Sequence, residues 1–374
     1  MLFSGSDYAV PPAMDELEVT IIGPGYGEAI CVHVGDGRWI LIDSCKAPKS
    51  TTACSVQYLS DIGVDLKNVF AIVASHWDDD HIRGLAETVA SCPNARFVAS
   101  LAFKGDEFHA YAAAFDSPLT SRARSGVKEI RATFKALAVA NRKPLGASPN
   151  RQVFGPADLS LTHGKPFEMW TLSPSDEEYT NFLAWVAEQM PDIQETRRVS
   201  VAKKRNDLST VVLLKVGNAT ILLGGDLEEH GQPGIGWTAI LTGPGRPTAK
   251  ASLYKVAHHG ALSGDHPQIW ADLLHSEPVA IVAPWKLGGR SLPSVSDVGR
   301  ILGHTSDAHA TISLSGRAPK KRDATVEKQI RQTARSFVAA PQSPGMLRLR
   351  RNVSGSSWQT EYFGGAVHLS RVHA

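Results

Sequence analysis

Short apolar runs alternate with clusters of glycine, proline and small polar residues along most of the chain. This pattern predicts strands and helices of ordinary length joined by turns. Runs rich in apolar and β-branched residues predict strands at residues 17–22, 30–34, 39–42, 69–74, 96–99, 167–172, 209–216, 220–223, 252–257, 279–283 and 309–314. Other segments predict helices at residues 51–62, 82–90, 104–115, 125–140, 176–189, 267–275 and 295–303.

The order of these elements predicts the fold class. Strands come first, helices and strands then alternate, a strand pair follows, and the alternation resumes. We therefore expect an α/β sandwich of two mixed sheets with outer helices. We expect a single domain over residues 1–374, with a core at about 17–315, a helical insertion at about 102–200 and a C-terminal β extension at about 316–374. The extension either adds strands to a core sheet or serves a partner.

Composition limits the function classes. Of the 374 residues, 43% are hydrophobic and 20% are charged, which indicates a globular protein. The net charge of +2 gives no overall attraction to nucleic acid, so local basic groups would have to supply any such contact. The sequence has no CxxC pair, no signal peptide and no apolar run of membrane-spanning length. We expect a protein of the reducing cytoplasm with no membrane contact.

The most informative segment follows the apolar run at residues 69–74. His76, Asp78, Asp80 and His81 place four potential metal ligands within six positions. Polar side chains this dense at a strand end are costly to bury unless something binds them, and a pair of divalent metal ions would do so. The alternative is a solvated acidic turn that caps the next helix, and we expect one of the carboxylates to contribute to such a cap.

Two later segments also place ligand-type residues directly after an apolar strand. Asp226 follows the strand predicted at 220–223, and His258 and His259 follow the strand predicted at 252–257. Taken alone, Asp226 fits an ordinary turn, and the two histidines fit a surface pair or satisfied core residues. Because three such segments occur in one chain, the metal interpretation is favoured over these structural ones.

The order of these motifs resembles the metallo-β-lactamase superfamily of dinuclear metallohydrolases. The resemblance covers residues 23–29 with 39–43, 75–84 (an HxHxDH-like segment), 206–209, 222–226 and 255–260. It implies an αββα sandwich and a site for two divalent metal ions. The implied metal ligands are His76, Asp78, Asp80, His81, Asp226 and one or both of His258 and His259.

The resemblance also implies roles. One ion would bind His76 and Asp78, and the other would bind Asp80, His81 and a late histidine, with the choice between His258 and His259 left open. Asp226 would bridge the ions, and Asp80 and Asp226 would be the catalytic carboxylates. The implied second-shell or substrate-contacting residues are Asp43, which would orient a ligand histidine, Asn206 and Trp77. For Trp77, lining the pocket, stacking on a base and packing in the core are all open.

One branch of the superfamily is especially similar. Asp78 stands where most members have the second histidine of HxHxDH, and together with residues 206–209 and 258–260 it resembles the hydrolase domain of bacterial DNA-uptake (competence) channel proteins and their soluble relatives. This implies a phosphodiesterase or nuclease that uses a metal-bound hydroxide on a nucleic acid or nucleotide. The extra carboxylate allows Mn²⁺ or Mg²⁺ beside Zn²⁺.

Two departures from the family pattern leave other functions open. Many members of the superfamily have a further histidine ligand between the HxHxDH segment and the bridging aspartate. His109 and His163 are the only histidines in that interval, and neither follows a predicted strand. Water or Asn206 would therefore complete the coordination of one ion. Residues 291–293 lack a further late histidine. The alternatives are a metallohydrolase of carboxyl ester, lactone, amide or thioester bonds, and a degenerate module that binds without catalysis. Protein partners are not predicted.

Basic clusters are a further open point. Those at 197–198, 203–205 and 320–322, together with Arg348, Arg350 and Arg351, either contact phosphates or form a solvated surface.

Overall fold

The computed structural model of the chain describes residues 2–3, 7–103, 125–162, 164–189, 206–287, 289–315, 329, 333 and 344–374. The described residues form two eight-stranded mixed sheets, with a separate two-stranded hairpin and helices on the outer faces. The predicted fold class, an αββα sandwich of two mixed sheets with outer helices, is confirmed.

The first sheet has the order β17-β16-β1-β2-β3-β4-β5-β6. Its strands are β1 (Glu16–Gly23), β2 (Ala29–His33), β3 (Trp39–Ile42), β4 (Val69–Ala74), β5 (Arg96–Ser100), β6 (Leu145–Ala147), β16 (Gly345–Asn352) and β17 (Gln359–Gly364). The pairs from β17 to β3 are antiparallel, and those from β3 to β6 are parallel. The strands β3 and β4 therefore end at the same edge of the sheet.

The second sheet has the order β18-β15-β12-β11-β10-β9-β8-β7. Its strands are β7 (Arg151–Phe154), β8 (Phe167–Thr171), β9 (Val212–Val216), β10 (Ala219–Leu223), β11 (Ala251–Lys255), β12 (Leu274–Val282), β15 (Ala308–Ala310) and β18 (Val367–His368). The strands β10, β11, β12 and β15 pair in parallel, and the other pairs are antiparallel. The strands β13 (Trp285–Leu287) and β14 (Arg290–Leu292) form the separate hairpin.

Three apolar cores hold the layers together. The helices are α1 (Cys54–Asp61), α2 (Asp79–Ile82), α3 (Leu85–Ser91), α4 (Ser125–Val139), α5 (Asp176–Gln189), α6 (Gly236–Thr242) and α7 (Val295–Leu302). Side chains of both sheets, such as Ile40 and Ile221, fill the central core. A second core joins the first sheet to α1, α3 and α4, and a third joins the second sheet to α6 and α7. Alternate residues of each strand point to opposite faces, so both faces of both sheets are buried.

Several predicted elements differ from the structure. The first helix begins after Ala53, which makes no side-chain capping bond, so the N-cap is neither Ser50 nor Thr51. The segment predicted as one helix at 82–90 spans two helices, because the first ends at Ile82 and Gly84, with a φ of +90°, is the N-cap of the second. The segment predicted at 267–275 forms a single π-helical turn, Ile269–Leu273, that leads directly into β12.

The insertion and the C-terminal extension both contribute strands to the two sheets. Besides helices and the predicted strand β8, the insertion contains two strands that were not predicted, β6 at one edge of the first sheet and β7 at one edge of the second. The C-terminal extension supplies β16 and β17 to the first sheet and β18 to the second. The helix predicted at 104–115 and the basic clusters at 197–198, 203–205 and 320–322 lie outside the described residues. Among the helices that the structure describes, none is long and apolar enough to cross a membrane.

Candidate metal centre

Loops that adjoin strands of both sheets meet at one end of the sandwich. Asp43 follows β3, residues 75–81 follow β4, Asp226 follows β10, and His259 follows β11. Glu28, directly before β2, reaches the same place. The two sheets are joined here by a hydrogen bond from the amide of Thr210 to the carbonyl of Ser75 (2.9 Å). The sandwich therefore brings together ligand-type residues that are far apart in sequence.

The centre of the site is a buried carboxylate between two histidine rings. Oδ2 of Asp226 lies 3.2 Å from Nε2 of His81 and 3.2 Å from Nε2 of His259. Oδ2 of Asp80 lies 3.3 Å from the same Nε2 of His259. All four side chains are buried. Four of the predicted ligands thus share one small volume.

The other ring nitrogen of each of these histidines has a hydrogen-bond acceptor. Nδ1 of His81 lies 2.8 Å from Oδ2 of Asp43, and Nδ1 of His259 lies 2.9 Å from the carbonyl of Ala283. Since a carbonyl or carboxylate can only accept, Nδ1 carries the proton in both rings. In the neutral rings Nε2 then presents a lone pair to the centre, as a metal ligand must.

The ring of His76 is also oriented by Asp43, through the hydroxyl group of Ser75. The hydroxyl of Ser75 donates to Oδ2 of Asp43 (2.7 Å), so it accepts from Nδ1 of His76 (3.0 Å). Nε2 of His76 is buried and has no hydrogen-bond partner among the described residues. The rings of His76 and His81 have centroids 4.2 Å apart. Asp43 therefore orients two of the three histidines, one directly and one through Ser75.

Asp78 lies at the mouth of this cluster. It occupies the N-cap position of α2, but its side chain makes no capping hydrogen bond, contrary to the capping role expected of one of these carboxylates. Its side chain instead lines the cavity above the cluster together with Asp79 and Asp80.

The electrostatics show how much negative charge is concentrated here. Burial opposes protonation of His259, but Asp226 and Asp80 outweigh it and raise its pKa to about 10. Asp226, Glu28 and Asp43 likewise raise the pKa of His81 well above its usual value, against the effect of burial. Burial, reinforced by the charge of His81, lowers the pKa of His76 to about 3. Cations are therefore favoured at the centre, either as bound protons or as metal ions.

Glu28 and Lys255 form a buried ion pair behind the histidines, and sequence reasoning missed both residues. Nζ of Lys255 lies 2.7 Å from Oε1 of Glu28 and 3.7 Å from Oδ1 of Asp226, and both partners of the pair are buried. The carboxylate of Glu28 is 3.7 Å from Nδ1 of His81 and 3.8 Å from Nδ1 of His259. Because these are the nitrogens turned away from the centre, Glu28 supports the rings from behind.

Glu28 also belongs to a group of four residues, Glu28, His81, Asp226 and His259, whose potential ligand atoms lie within 4.8 Å of one another. The only sequence signal for Glu28 was the glycine turn before it. Gly27 has a φ of +105°, and a Cβ at this position would lie 2.8 Å from the carbonyl oxygen of Asp80. That close approach lets the amide of Glu28 donate to the Asp80 carbonyl (2.9 Å).

The side chains of the two late histidines point to different places. His258 and His259 both have left-handed backbone conformations, with φ of +47° and +53°. His259 turns into the cluster, whereas His258 lies on the cavity wall with Nδ1 2.8 Å from the hydroxyl of Ser263. Nδ2 of Asn206 donates to Oε1 of Glu228 (2.8 Å) and lies 3.4 Å from Nε2 of His258.

The side chains of Trp77 and of three arginines make contacts within the folded protein. Trp77 is 1% exposed, with its ring centroid 4.8 Å from that of Phe103, so it packs in the core and does not line the cavity. The three arginines bind internal partners: Arg348 binds Glu361, Arg350 binds Glu18, and Arg351 binds Asn218. They are therefore not a phosphate-binding surface. His109 and His163 lie outside the described residues.

A cavity of about 490 Å³ opens above the cluster. It is lined by Tyr26, Asp78, Asp79, Asp80, Asn206, Asp226, His258, His259, Trp285, Leu287 and Leu292. Imidazole nitrogens and carboxylate oxygens at its base are ligands that Zn²⁺ and Mn²⁺ accept. The unpartnered, buried Nε2 of His76 and the preset tautomers of His81 and His259 fit divalent cations.

Comparison with known proteins gives only weak likenesses. No family model and no curated protein matches the chain. Among solved structures, it is similar to the metallo-β-lactamase fold protein YhfI from Bacillus subtilis, with 12% identity over 80% of this chain and 96% of that chain and a TM-score of 0.39.

Two further solved structures are similar with lower TM-scores and lower coverage. One is AidC, a dizinc quorum-quenching lactonase (17% identity, 53% of this chain and 55% of that chain, TM-score 0.30). The other is a metallo-β-lactamase from Cronobacter sakazakii (15% identity, 61% of this chain and 67% of that chain, TM-score 0.30). At these values the likenesses carry no argument about activity, and the fold follows from the sheets described above.

Proposed function

We propose that the protein is a dinuclear metal-dependent hydrolase of the metallo-β-lactamase superfamily and that it cleaves phosphodiesters. The observation that carries this proposal is the convergence of His81, His259 and Asp80 around Asp226, with both Nε2 atoms turned to that carboxylate. A divalent metal ion can replace the protons that these carboxylates otherwise favour on the two Nε2 atoms. A buried site rich in carboxylates and beneath an open cavity supports metal binding for catalysis.

The residues divide between two ions. His76 and Asp78 would hold one ion, and Asp80, His81 and His259 would hold the other, with Asp226 between them. Two divalent cations held by these residues would supply a Lewis acid for a phosphoryl oxygen and a bound water of lowered pKa. The protein's own contribution is to orient the ligands: Asp43 fixes His81 directly and His76 through Ser75.

The high share of carboxylate oxygens among the candidate metal ligands supports specificity for phosphodiesters. Asp43, Asp78, Asp80 and Asp226 are four carboxylates at or beside the cluster, and they can offset the charge of two divalent ions. Oxygen ligands favour harder cations, such as Mn²⁺ and Mg²⁺, that suit phosphate chemistry. Zn²⁺ is also compatible with the histidine nitrogens.

The test combines elemental analysis with a substrate screen. Purified protein is expected to retain about two divalent ions per chain and to cleave methyl p-nitrophenyl phosphate in preference to lactone, carboxyl ester and thioester substrates. The variant Asp80→Ala/His81→Ala should lose both metal and turnover. The exposed pair Asp272→Ala/His275→Ala is the matched control and should lose neither.

Three outcomes would contradict the proposal. Unchanged turnover by Asp80→Ala/His81→Ala would mean that the cluster is not the catalytic site. Preference for carboxyl esters, lactones, amides or thioesters would assign the protein to that class of metallohydrolase. A folded protein that binds no metal would be a binding module.

A further inference from the structure

One wall of the cavity is aromatic and is built from two segments that are distant in sequence. Tyr26 lies in the glycine turn between β1 and β2, and Trp285 begins β13. Their ring centroids are 6.4 Å apart, with 49° between the ring planes, and both side chains are only half-buried. The amide of Lys286 donates to the carbonyl of Gly25 (2.8 Å), which fixes the hairpin beside the turn.

The ring of Tyr26 also contacts a cation. The guanidinium group of Arg83 lies 5.4 Å from the Tyr26 ring centroid, within the range of a cation–π contact. Neither aromatic residue is needed to fill a core, since both belong to short loops or to the separate hairpin. Each ring therefore keeps a surface at the cavity, 490 Å³ in volume, that is large enough for a small planar ligand.

The hairpin adds a cation to this wall. In an antiparallel pair, residues directly opposite each other lie on the same face, and alternate residues share that face. Trp285 pairs with Leu292, and Leu287 pairs with Arg290. Because Trp285, Leu287 and Leu292 line the cavity, Arg290 lies on the cavity face, while Lys286 lies on the opposite face.

Arg290 is available for a ligand. It is exposed, and no described residue forms an ion pair with it. The carboxylates among the lining residues are Asp78, Asp79, Asp80 and Asp226. A guanidinium group at the rim of such a cavity suits a substrate that carries negative charge next to an aromatic group.

We propose that Tyr26 and Trp285 stack on a nucleobase and that Arg290 contacts the phosphate of the same substrate, which makes the substrate a nucleotide or single-stranded nucleic acid. This inference rests on the proposed phosphodiesterase function and names its substrate class. Aromatic side chains stack on any base because every base offers a π-face, so recognition would tolerate different sequences. A base paired within a duplex cannot enter the cavity, so the reactive strand must be unpaired.

A binding experiment tests the aromatic wall without turnover. Isothermal titration of the purified protein with thymidine 5′-monophosphate and with deoxyribose 5-phosphate separates the contribution of the base from that of the phosphate. The nucleotide should bind roughly 5- to 150-fold more tightly, the range that stacking of one base corresponds to. Trp285→Leu and Tyr26→Leu should each remove most of this difference while leaving deoxyribose 5-phosphate binding unchanged.

The cation is tested with a pair of variants on one hairpin. Arg290→Met should weaken binding of both probes, because both carry the phosphate, whereas Lys286→Met on the opposite face should weaken neither. Equal affinity for the two probes, or a Trp285→Leu protein that still distinguishes them, would overturn the aromatic part. Equal effects of Arg290→Met and Lys286→Met would overturn the assignment of Arg290. Circular dichroism confirms that each variant is folded.

Turnover of methyl p-nitrophenyl phosphate keeps this inference separate from the proposed function. This substrate and p-nitrophenyl thymidine 5′-phosphate carry the same p-nitrophenyl group, so the ratio of their KM values isolates the contribution of the base, and Trp285→Leu and Tyr26→Leu should reduce that ratio. The same variants should raise the KM of p-nitrophenyl thymidine 5′-phosphate by the factor seen in binding. If the wild-type protein cleaves neither substrate, the function fails, whereas cleavage of both with equal KM values contradicts only the aromatic wall.

Discussion

The ammonium group of Lys255 lies 2.7 Å from the carboxylate of Glu28, and both are buried behind His81 and His259. Burial disfavours the charge of Lys255, but Glu28 and Asp226 outweigh burial and raise its pKa. Lys255 therefore carries its positive charge at neutral pH, directly behind the candidate ligands.

Removing one partner of this pair should destabilise the fold strongly. Lys255→Met leaves the Glu28 carboxylate buried without its cation, and we expect a loss of about 3–5 kcal/mol in the free energy of unfolding. Glu28→Gln/Lys255→Met leaves no such charge and should be more stable than Lys255→Met alone. Urea denaturation with a chelator present measures this without a contribution from metal. A double variant at least as unstable as the single one would contradict the pairing.

Asp43 is expected to control metal affinity through the two histidines it orients. Asp43→Asn removes the acceptor that fixes the His81 tautomer, and it should weaken metal binding by about 10- to 100-fold. Ser75→Ala breaks only the link to His76, so it should weaken one of the two ions and spare the other. Competition with a chromophoric chelator measures both affinities. Asp158→Asn, which loses a surface pair with Arg96, is the control and should bind normally.

Much of this site was predictable because its chemistry is concentrated at strand ends. The strands at 69–74 and 220–223 are recognisable by composition, and the polar residues that follow them mark the site. Trp77 was ambiguous from its position among the ligands, although an extended chain directs His76 and Trp77 to opposite sides. That alternation explains why Trp77 joins the core.

Other features could not be predicted because they depend on contacts distant in sequence. Glu28 and Lys255 are separated by most of the domain, and no local pattern indicates that they meet. The choice between His258 and His259 depends on two consecutive left-handed residues, which no periodicity predicts. The aromatic wall is similar: Tyr26 and Trp285 come together only because the hairpin docks on the glycine turn.

Gly27 should be far less tolerant of substitution than a glycine that also has a positive φ but lies in open space. Gly27→Ala combines a φ of +105° with a Cβ 2.8 Å from the carbonyl oxygen of Asp80. Gly63 also has a positive φ, +75°, but a Cβ there meets nothing within 4 Å. We expect Gly63→Ala to cost about 1–2 kcal/mol and Gly27→Ala roughly twice that.

The two glycine variants should also differ in metal binding. Gly27→Ala pushes against the backbone of Asp80 and should weaken metal binding, whereas Gly63→Ala should not affect it. Thermal unfolding and chelator competition on both proteins provide the measurements. Equal losses of stability with unchanged metal affinity would mean that the turn does not position the Asp80 loop.

Glu178 should make stability depend on pH near neutrality. Its carboxylate accepts hydrogen bonds from the amides of Ser175 (2.7 Å) and Gly236 (2.8 Å), and it thereby links α5 to α6. Burial is the main cause that raises its pKa to about 7, and these hydrogen bonds only partly oppose the rise. An unfolded chain has the ordinary value of 4.5 for this group, so between about pH 4.5 and 7 only the folded protein keeps the proton.

The sign of the effect follows from that difference. The stabilisation is complete below pH 4.5, and it falls by about 1.4 kcal/mol per pH unit until it is lost near pH 7. Glu178→Gln cannot ionise, so the difference in unfolding free energy between wild type and this variant should shrink or reverse as the pH rises from 5 to 8. Urea denaturation at each pH measures the difference, with the exposed Glu177→Gln as the control. A difference that stays constant over this range would show that Glu178 is ionised in the folded protein and that its two hydrogen bonds outweigh burial.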